Sequence, residues 1–238
     1  MGPLLLQTRR VPVKSPAIEL EWIWQEMSND VRWLQERGVM IWNDWEGDDH
    51  TIGKAYGWQL ANKHISINGQ SLNQVQYVLQ QLKDNPTSRR IMTTLYDFDD
   101  LNAMNLPPCV WSTHWSIYDN KLNLHVKQRS CDFLLGGAFN FYQYYLLHTL
   151  IADELQLERG TMHWNIDNCH IYDRHIEGAK ELLKKWEDNR LELLANRPTI
   201  VLPEGTNFFD RRLSDIQVLD YHHLGNYKFE LAVNGAIK

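Results

Sequence analysis

The stretch that decides the fold reads VWSTHWSIYDNKLNLHVKQR and covers residues 110–129. It holds two runs, 110–118 and 121–129, that have the β-branched and aromatic character of strands. Asp119-Asn120 separates them and suits the tight turn of a β-hairpin. Farther along, 139–157 is a long apolar stretch without a break, too long for one strand, and it predicts a buried central helix.

Helical and strand-like patterns also flank this centre. Helices are predicted at 15–27, 31–35, 71–84 and 173–194, and strands at 161–172, 216–221 and 227–233. Strands and helices mix without strict alternation, so we expect an α+β fold in which a mixed or antiparallel sheet is packed by helices around the long buried helix. No repeat, low-complexity tract or linker interrupts the chain, and residues 1–238 are therefore expected to form a single domain.

Composition narrows the class of protein. The chain has 238 residues, a net charge of −6, 43% hydrophobic and 23% charged residues, the balance of an ordinary globular protein. This charge does not favour non-specific phosphate contacts, so no DNA partner is expected. No apolar run reaches the roughly 18 residues of a membrane span, and residues 1–6 are too short for the apolar core of a signal peptide. Three widely spaced cysteines predict reduced thiols and a cytoplasmic location.

Cys109 is a candidate nucleophile. Pro107 and Pro108 precede it and fix the backbone just before the thiol. An ordinary cysteine is mostly protonated at neutral pH, so a nearby cation would be needed to raise the thiolate fraction. The alternative is a buried cysteine that serves only as a small hydrophobic residue.

Arginines supply candidate phosphate ligands. Arg129 and Ser130 offer a guanidinium and a hydroxyl at the end of a predicted strand, next to a Gly-rich turn, where the alternative is a surface ion pair. Arg89 and Arg90 are adjacent before another extended run. Adjacent side chains on a strand point to opposite faces, so both could contact one ligand only from a loop or from a partner chain. The alternative for this pair is a solvated surface.

Two further side chains fit a reaction on a pyrimidine. Asn140, near the start of the long helix, is either an N-cap or an amide whose donors and acceptor match the edge of a uracil ring. Glu19 lies on a predicted helix among aromatic residues, where desolvation would raise its pKa and allow proton transfer, unless it faces solvent. No metal site is expected, because His163, Cys169, His170 and His175 match no familiar four-ligand spacing.

Taken together, these segments resemble the thymidylate synthase family. Order and spacing agree from Pro3 to Val233. The matching stretches are residues 15–30, Ile41-Trp42-Asn43-Asp44-Trp45, residues 52–57, Ser88-Arg89-Arg90, Leu106-Pro107-Pro108-Cys109, Gln128-Arg129-Ser130, Gly136 through Phe139-Asn140, and residues 167–172.

The resemblance implies a reaction. The thiolate of Cys109 would attack C6 of deoxyuridylate (dUMP), so that C5 captures the one-carbon unit of 5,10-methylenetetrahydrofolate. Hydride from the same folate would then complete the methyl group of thymidylate (dTMP). The resemblance also implies an obligate homodimer, because the family places two arginines in the opposite subunit's site.

It further implies a role for each matching residue. Phosphate would be held by Arg129 and Ser130 and, from the opposite subunit, by Arg89 and Arg90; Asn140 would read the base; Glu19 would relay protons at O4 and C5; His170 and Tyr172 would bind the deoxyribose hydroxyl; Gln128 and Asp132 would lie on the substrate side; and Trp42, Asp132 and Gly136 on the folate side.

Three departures from the family pattern keep an alternative open. The chain starts near Gly2-Pro3, without the family's further segment bearing a mobile Arg loop, and it continues past Val233 through residues 234–238. Glu21 stands where the commoner family sequence is apolar, as in some phage hydroxymethylases. Incomplete closure would admit water and give a 5-hydroxymethyl product on dUMP or deoxycytidylate, although Asn140 favours uracil. A non-catalytic nucleotide- or RNA-binding relic is the third hypothesis.

Overall fold

The computed structural model describes residues 5–230. Its helices are α1 (Lys14–Leu20, continued by a π-helical turn over Glu21–Gln25), α2 (Val31–Gln35), α3 (Gly57–Asn62), α4 (Gln74–Asp84), α5 (Ala138–Glu154, preceded by a π-helical turn over Phe133–Gly137) and α6 (Ile176–Ala195). Its strands are β1 (Ile65–Ile67), β2 (Gln70–Leu72), β3 (Met92–Thr94), β4 (Val110–Tyr118), β5 (Lys121–Asp132), β6 (Glu158–His170), β7 (Thr199–Val201) and β8 (Gln217–Leu219).

A four-stranded mixed sheet forms the centre, in the order β3-β4-β5-β6. Strands β3, β4 and β5 are antiparallel, whereas β6 runs parallel to β5. Asp119 and Asn120 join β4 to β5 with φ angles of 50° and 55°. Two left-handed residues match the twist of a two-residue hairpin, which confirms the predicted turn.

Helix α5 crosses the inner face of this sheet and confirms the predicted central helix. Tyr142, Leu146 and Ile151 are completely buried along it, and His148 Nε2 lies 2.7 Å from the carbonyl oxygen of Leu122 in β5. The helix ends three residues earlier than predicted, because Gln156 takes a left-handed φ of 55° and closes the chain into a turn. The fold is therefore α+β around one buried helix, as expected.

Some boundaries differ from the prediction. Helix α4 begins at Gln74 rather than Ser71, because Ser71 pairs with Ser66 in the β1–β2 hairpin and the Asn73 side chain caps the helix. Strands β5 and β6 are longer at one end than predicted and extend to Asp132 and from Glu158. The short strands β1, β2 and β7 were not predicted at all.

The predicted strand at 227–233 is wrong over its described part. Residues 227–230 belong to no strand, and residues 231–233 lie outside the described residues. The aromatic alternation has another cause: Tyr227 and Phe229 pack on the start of α6, where a Cβ at Gly178 would lie 2.7 Å from Phe229 Cε1 and from the Tyr227 hydroxyl oxygen. His175 Nε2 lies 3.0 Å from the carbonyl oxygen of Glu230 and holds the segment there.

In the described part of the chain, no helix has both the length and the apolar character needed to cross a membrane.

Candidate active site

A cavity of about 910 Å³ opens between α1, the end of β5 and the start of α5. Its walls include most of the residues singled out in the sequence, namely Glu19, Trp42, Cys109, Gln128, Arg129, Ser130, Asp132, Gly136, Asn140, His170 and Tyr172. Arg89 and Arg90 are not among the lining residues. One pocket thus brings together a thiol, a carboxyl group, an amide and a guanidinium that lie far apart in the sequence.

Arg129 holds the short segment that carries the thiol, through hydrogen bonds to the backbone of residues 107–109. Arg129 donates from Nε to the carbonyl oxygen of Pro108 (3.0 Å) and from Nη2 to that of Pro107 (2.7 Å). Its own backbone N–H bonds the carbonyl oxygen of Cys109 at 2.9 Å. Burial raises the pKa of the Cys109 thiol, whereas the Arg129 charge and a hydrogen bond from Tyr56 act in the opposite direction. The cation that a reactive thiolate requires is therefore present.

Tyr56 is a site residue that the sequence reasoning missed. Its hydroxyl accepts the backbone N–H of Cys109 at 3.0 Å, and its side chain is buried in the cavity wall. The residue has a φ of 47°, an uncommon conformation for a large side chain. Gly57 follows directly, and a Cβ there would come within 2.3 Å of the Ser28 carbonyl oxygen. The only signal for Tyr56 in the sequence was its position in the matching stretch 52–57.

Glu19 is buried, which rules out the solvated alternative. Its Oε1 accepts from Trp42 Nε1 and its Oε2 from Gln143 Nε2, each at 2.5 Å. Desolvation raises the pKa of this carboxyl group to about 7, although the two hydrogen bonds favour the charged form and oppose the rise. Near neutral pH, Glu19 can therefore both give and take a proton. Gln143, which also bonds the Pro16 carbonyl oxygen, was not predicted.

The end of β5 is fixed by Gln128. This buried amide donates to the Ser130 carbonyl oxygen and accepts from Trp164 Nε1, both at 2.9 Å. It therefore ties β5 to β6 at the point where Arg129 and Ser130 reach the cavity. Gln128 lines the wall of the cavity, and these two hydrogen bonds give it a positioning role in the protein.

His170 and Tyr172 complete this end of the cavity. Their rings meet edge to face with centroids 5.1 Å apart, and His170 Nδ1 lies 3.0 Å from Oδ1 of Asn168. The parallel pairing of β5 with β6 places Asp132 directly opposite His170. Polar groups from two neighbouring strands thus line the same cavity.

The start of α5 forms the opposite wall. Asp132 caps the π-helical turn by accepting from the Leu135 N–H at 3.2 Å, and Gly137, not Asn140, is the N-cap of α5. The alternative role of Asn140 as a cap is therefore wrong. A Cβ at Gly136 would lie 3.8 Å from Asn140 Nδ2, at ordinary contact distance, so this glycine borders the amide in the cavity wall.

Arg89 and Arg90 lie elsewhere on the same chain. Both are exposed and directly precede β3, and the neighbouring Ile91 accepts from the Trp115 N–H at 2.8 Å. The pair is therefore near the far end of β4, whereas Cys109 lies just before its start. At about 3.3 Å per strand residue, that separation is roughly 20 Å. These arginines therefore cannot reach the cavity beside Arg129 of their own chain.

The fold and the cavity define an α+β protein in which a partly buried thiol, a buried carboxyl group and a guanidinium line one cavity. A family model described as Thymidylate synthase matches residues 2–233. The chain is 44% identical over 229 residues to the thymidylate synthase of Bacillus licheniformis and 43% identical to that of Bacillus phage phi3T. Each alignment covers 96% of this chain and 80% of the relative.

A solved structure supports the same family assignment. The thermostable thymidylate synthase A from Bacillus subtilis superposes with a TM-score of 0.87 at 40% identity, covering 96% of this chain and 80% of the other. The chain belongs to the thymidylate synthase family.

The Trp42 bond to Glu19 gives a direct prediction. Trp42→Phe removes the indole N–H and should raise the pKa of Glu19 by about one unit or more, because a hydrogen bond to a charged group is worth about 1.5–3 kcal/mol and one pKa unit about 1.4 kcal/mol. Carbon NMR of labelled glutamate carboxyls measures the midpoint, which should be about 7 in the unmodified chain. Trp45→Phe changes a neighbouring indole of the same wall and should leave the midpoint in place; equal shifts in both variants would contradict the assignment.

Proposed function

We propose that this chain methylates C5 of dUMP to give dTMP, with 5,10-methylenetetrahydrofolate as the donor of both carbon and hydride. Membership of the thymidylate synthase family supports the reaction. The observation that carries it for this chain is the single cavity in which Cys109 lies beside Arg129 and is faced by Glu19 and Asn140. We further propose that residues 1–238 act as one domain, in the cytoplasm.

Cys109 is the proposed nucleophile. Its sulfur forms a bond to C6 of the uracil ring, and the electrons of the C5–C6 double bond move to C5 and O4. C5 then bonds to the one-carbon unit and loses its proton, and elimination of the folate from that unit leaves an exocyclic methylene group. The methylene carbon accepts hydride from the same folate, which gives the methyl group and dihydrofolate. Elimination of the sulfur restores the ring. Arg129 stabilises the thiolate that begins and ends this cycle, and Tyr56 holds the Cys109 backbone in place.

Glu19 is the proposed proton relay, and Asn140 the proposed base reader. A carboxyl group with a pKa of about 7 has the correct protonation state for either direction of transfer near neutral pH. The Asn140 amide carries donors and an acceptor that match the O4 and N3–H of uracil.

The cavity fits the folate as well as the nucleotide. Its size is within the range for sites that bury small molecules. Trp42 and Trp45 meet edge to face at 5.6 Å, and the exposed side chains of Met40 and Ile41 continue this wall. A flat pterin ring needs such an aromatic and apolar surface. We assign Trp42, Asp132 and Gly136 to the folate side and Gln128, His170 and Tyr172 to the nucleotide side.

We propose that the active form is a homodimer with shared sites. Arg129 and Ser130 bind the phosphate from within the chain, and Arg89 and Arg90 do so from the opposite subunit. The supporting observation is their position, since the pair is exposed and at the far end of the sheet from its own Cys109.

The hydroxymethylase alternative receives less support. Glu21, the departure that suggested it, accepts from the Leu213 N–H at 2.7 Å and is not among the residues that line the cavity. It ties α1 to the segment after β7 and does not alter the surface that faces the folate.

Product analysis tests the proposed reaction. Incubation of the chain with dUMP and 5,10-methylenetetrahydrofolate should yield dTMP and dihydrofolate in equal amounts, the latter seen as an absorbance rise. 5-Hydroxymethyldeoxyuridylate without dihydrofolate would establish the alternative. A chain that also failed to release tritium from C5 of labelled dUMP would be a binder without catalysis.

The role of Cys109 is tested by Cys109→Ser. This variant should bind dUMP as before but lose about a thousandfold or more in turnover, because a serine hydroxyl is a far weaker nucleophile at neutral pH. Calorimetry measures binding and the dihydrofolate assay measures turnover. Cys169→Ser replaces an exposed thiol outside the cavity lining and should retain full activity. Equal loss of binding and turnover at Cys109 would indicate a structural thiol instead.

Site sharing is tested by mixing two inactive variants. Cys109→Ser and Arg90→Glu homodimers should each be nearly inactive, but random exchange of subunits makes half of the dimers mixed. One site in each mixed dimer then has both an intact Cys109 and the partner's intact arginine, which restores about a quarter of the activity. If Arg90 acted within its own chain, mixing would restore nothing.

A further inference from the structure

Gln143 joins helix α5 to helix α1 beside the cavity. The residue lines the cavity wall, although only 4% of its surface is exposed. Its amide nitrogen, Nε2, donates to the carbonyl oxygen of Pro16 at 3.2 Å and to Glu19 Oε2 at 2.5 Å. An amide nitrogen carries two protons, so both N–H groups of this side chain are committed to α1.

The contact with Pro16 settles which way the amide faces. A backbone carbonyl oxygen can only accept a hydrogen bond, so the nitrogen of Gln143, and not its oxygen, points to α1. The other carboxyl oxygen of Glu19 accepts from the indole N–H of Trp42, which can only donate. Both donors can bond Glu19 in its charged and in its neutral form, so the carboxyl group keeps its position while its proton comes and goes.

The side-chain oxygen of Gln143 has no such partner. Oε1 makes no hydrogen bond to any residue between 5 and 230, and it is not one of the fully enclosed polar atoms that lack a partner. Gln25 on α1 is a useful contrast, because its nitrogen donates to the carbonyl oxygen of Phe208 while its Oε1 is fully enclosed. The Gln143 oxygen therefore keeps an accessible surface, and the space that this residue lines is the cavity.

The spacing beside this oxygen suits a single water molecule. The nitrogen and the oxygen of one amide group are about 2.2 Å apart. Since Nε2 lies 2.5 Å from Glu19 Oε2, the distance from Gln143 Oε1 to that carboxyl oxygen is at most about 4.7 Å. Two hydrogen bonds of about 2.8 Å to one water span this distance. Oε1 can accept a hydrogen bond from such a water while the carboxyl group exchanges a proton with it.

The same face of α5 carries the proposed base reader. Asn140 precedes Gln143 by three residues, and side chains at this spacing are neighbours on a helix. Both residues line the cavity. A water bound by Gln143 and Glu19 is therefore about one helical turn from the amide that is proposed to bind uracil. A proton that moves between the carboxyl group and the pyrimidine has to cross this interval.

The neighbouring phenols do not compete for the proton of Glu19. Tyr56 and Tyr144 interact electrostatically with this carboxyl group, but burial raises the pKa of each above the ordinary value of 10. Both phenols therefore stay neutral while Glu19 titrates. Burial raises the pKa of Glu19 to about 7, and the hydrogen bond from Gln143 opposes that rise. Loss of this bond should raise the pKa of Glu19 further.

We propose that Gln143 is a positioning residue of the proton relay, which fixes Glu19 through its N–H groups and binds a water molecule through Oε1. The inference rests on the proposed function, because it needs a pyrimidine that exchanges protons with Glu19. When C5 loses its proton, the water accepts that proton and gives one of its own to the carboxylate. The water is thereby restored, Glu19 becomes neutral, and Gln143 neither gains nor loses a proton.

The test compares Gln143→Met with the unmodified chain. Methionine keeps the length of the side chain but has neither N–H groups nor a carbonyl oxygen. Carbon NMR of labelled glutamate carboxyls should show the midpoint of Glu19 raised by about one unit or more, because a hydrogen bond to the charged form is lost.

Tritium release from C5 of labelled dUMP, with 5,10-methylenetetrahydrofolate present, tests the role of the water. At about pH 9 a carboxyl group with a pKa of about 8 to 9 is at least half ionised, so the raised midpoint alone slows release by at most about twofold. The variant should nevertheless release tritium about tenfold or more slowly than the unmodified chain at this pH, because the water is no longer held in place.

Gln25→Met is the matched control. It makes the same change at a buried glutamine that is not among the cavity-lining residues. Its Glu19 midpoint should not move, and its tritium release should stay within about twofold of the unmodified chain. Circular dichroism checks folding. If Gln143→Met does not fold, Gln143→Glu replaces it with the same two expected changes, because an ionised carboxylate cannot donate to Pro16 or to Glu19.

Two results would overturn the inference and leave the proposed function intact. The first is a Glu19 midpoint that does not move in the Gln143 variant. The second is a raised midpoint with full tritium release at about pH 9, since the amide would then act on the proton equilibrium of Glu19 alone. An unmodified chain that releases no tritium would remove the proposed function, and this inference with it.

Discussion

The site depends on one guanidinium. Arg129 uses Nε and Nη2 to bond the carbonyl oxygens of Pro108 and Pro107, so that its charge lies against the segment that carries the thiol. Two prolines make this segment stiff, and the planar, forked shape of the arginine fits two successive carbonyls as a lysine could not. The same contact therefore sets the direction of Cys109, lowers the cost of its thiolate and joins the start of β4 to the end of β5.

The protein also buries an ionisable group without a counter-charge. Glu19 has neutral partners, Trp42 and Gln143, and its carboxyl group therefore titrates near neutrality instead of staying charged. An arginine in the place of Gln143 would stabilise the carboxylate and end its usefulness as a proton carrier. Neutral donors hold the Glu19 side chain in position without strongly favouring its charged form. Its pKa therefore stays near the ambient pH, which is the condition that acid–base chemistry at physiological pH requires.

Sequence reasoning found the parts of this protein whose signals are local or periodic. The hairpin turn at Asp119-Asn120 and the buried helix α5 follow from residue type and spacing. Of the eleven cavity residues, five were separate candidates from residue type, namely Glu19, Cys109, Arg129, Ser130 and Asn140, and the other six received a site role only from the family resemblance. Tyr56 and Gln143 were missed because each acts through a contact with a residue distant in sequence. The strand prediction at 227–233 was wrong over residues 227–230 because aromatic residues alternate in the same way whether their rings pack on a sheet or, as here, on the first turn of α6.

The parallel pairing of β5 with β6 has a consequence for biosynthesis. Antiparallel neighbours can meet as soon as their turn has formed, but a parallel partner becomes available only after the chain has crossed back through the whole of α5. Ser130 and His170 are therefore assembled into one pocket late, when β6 has left the ribosome and docked. Until then the nascent polypeptide displays an apolar helix without its nucleotide pocket, and chaperones that recognise such surfaces have a defined interval in which to act.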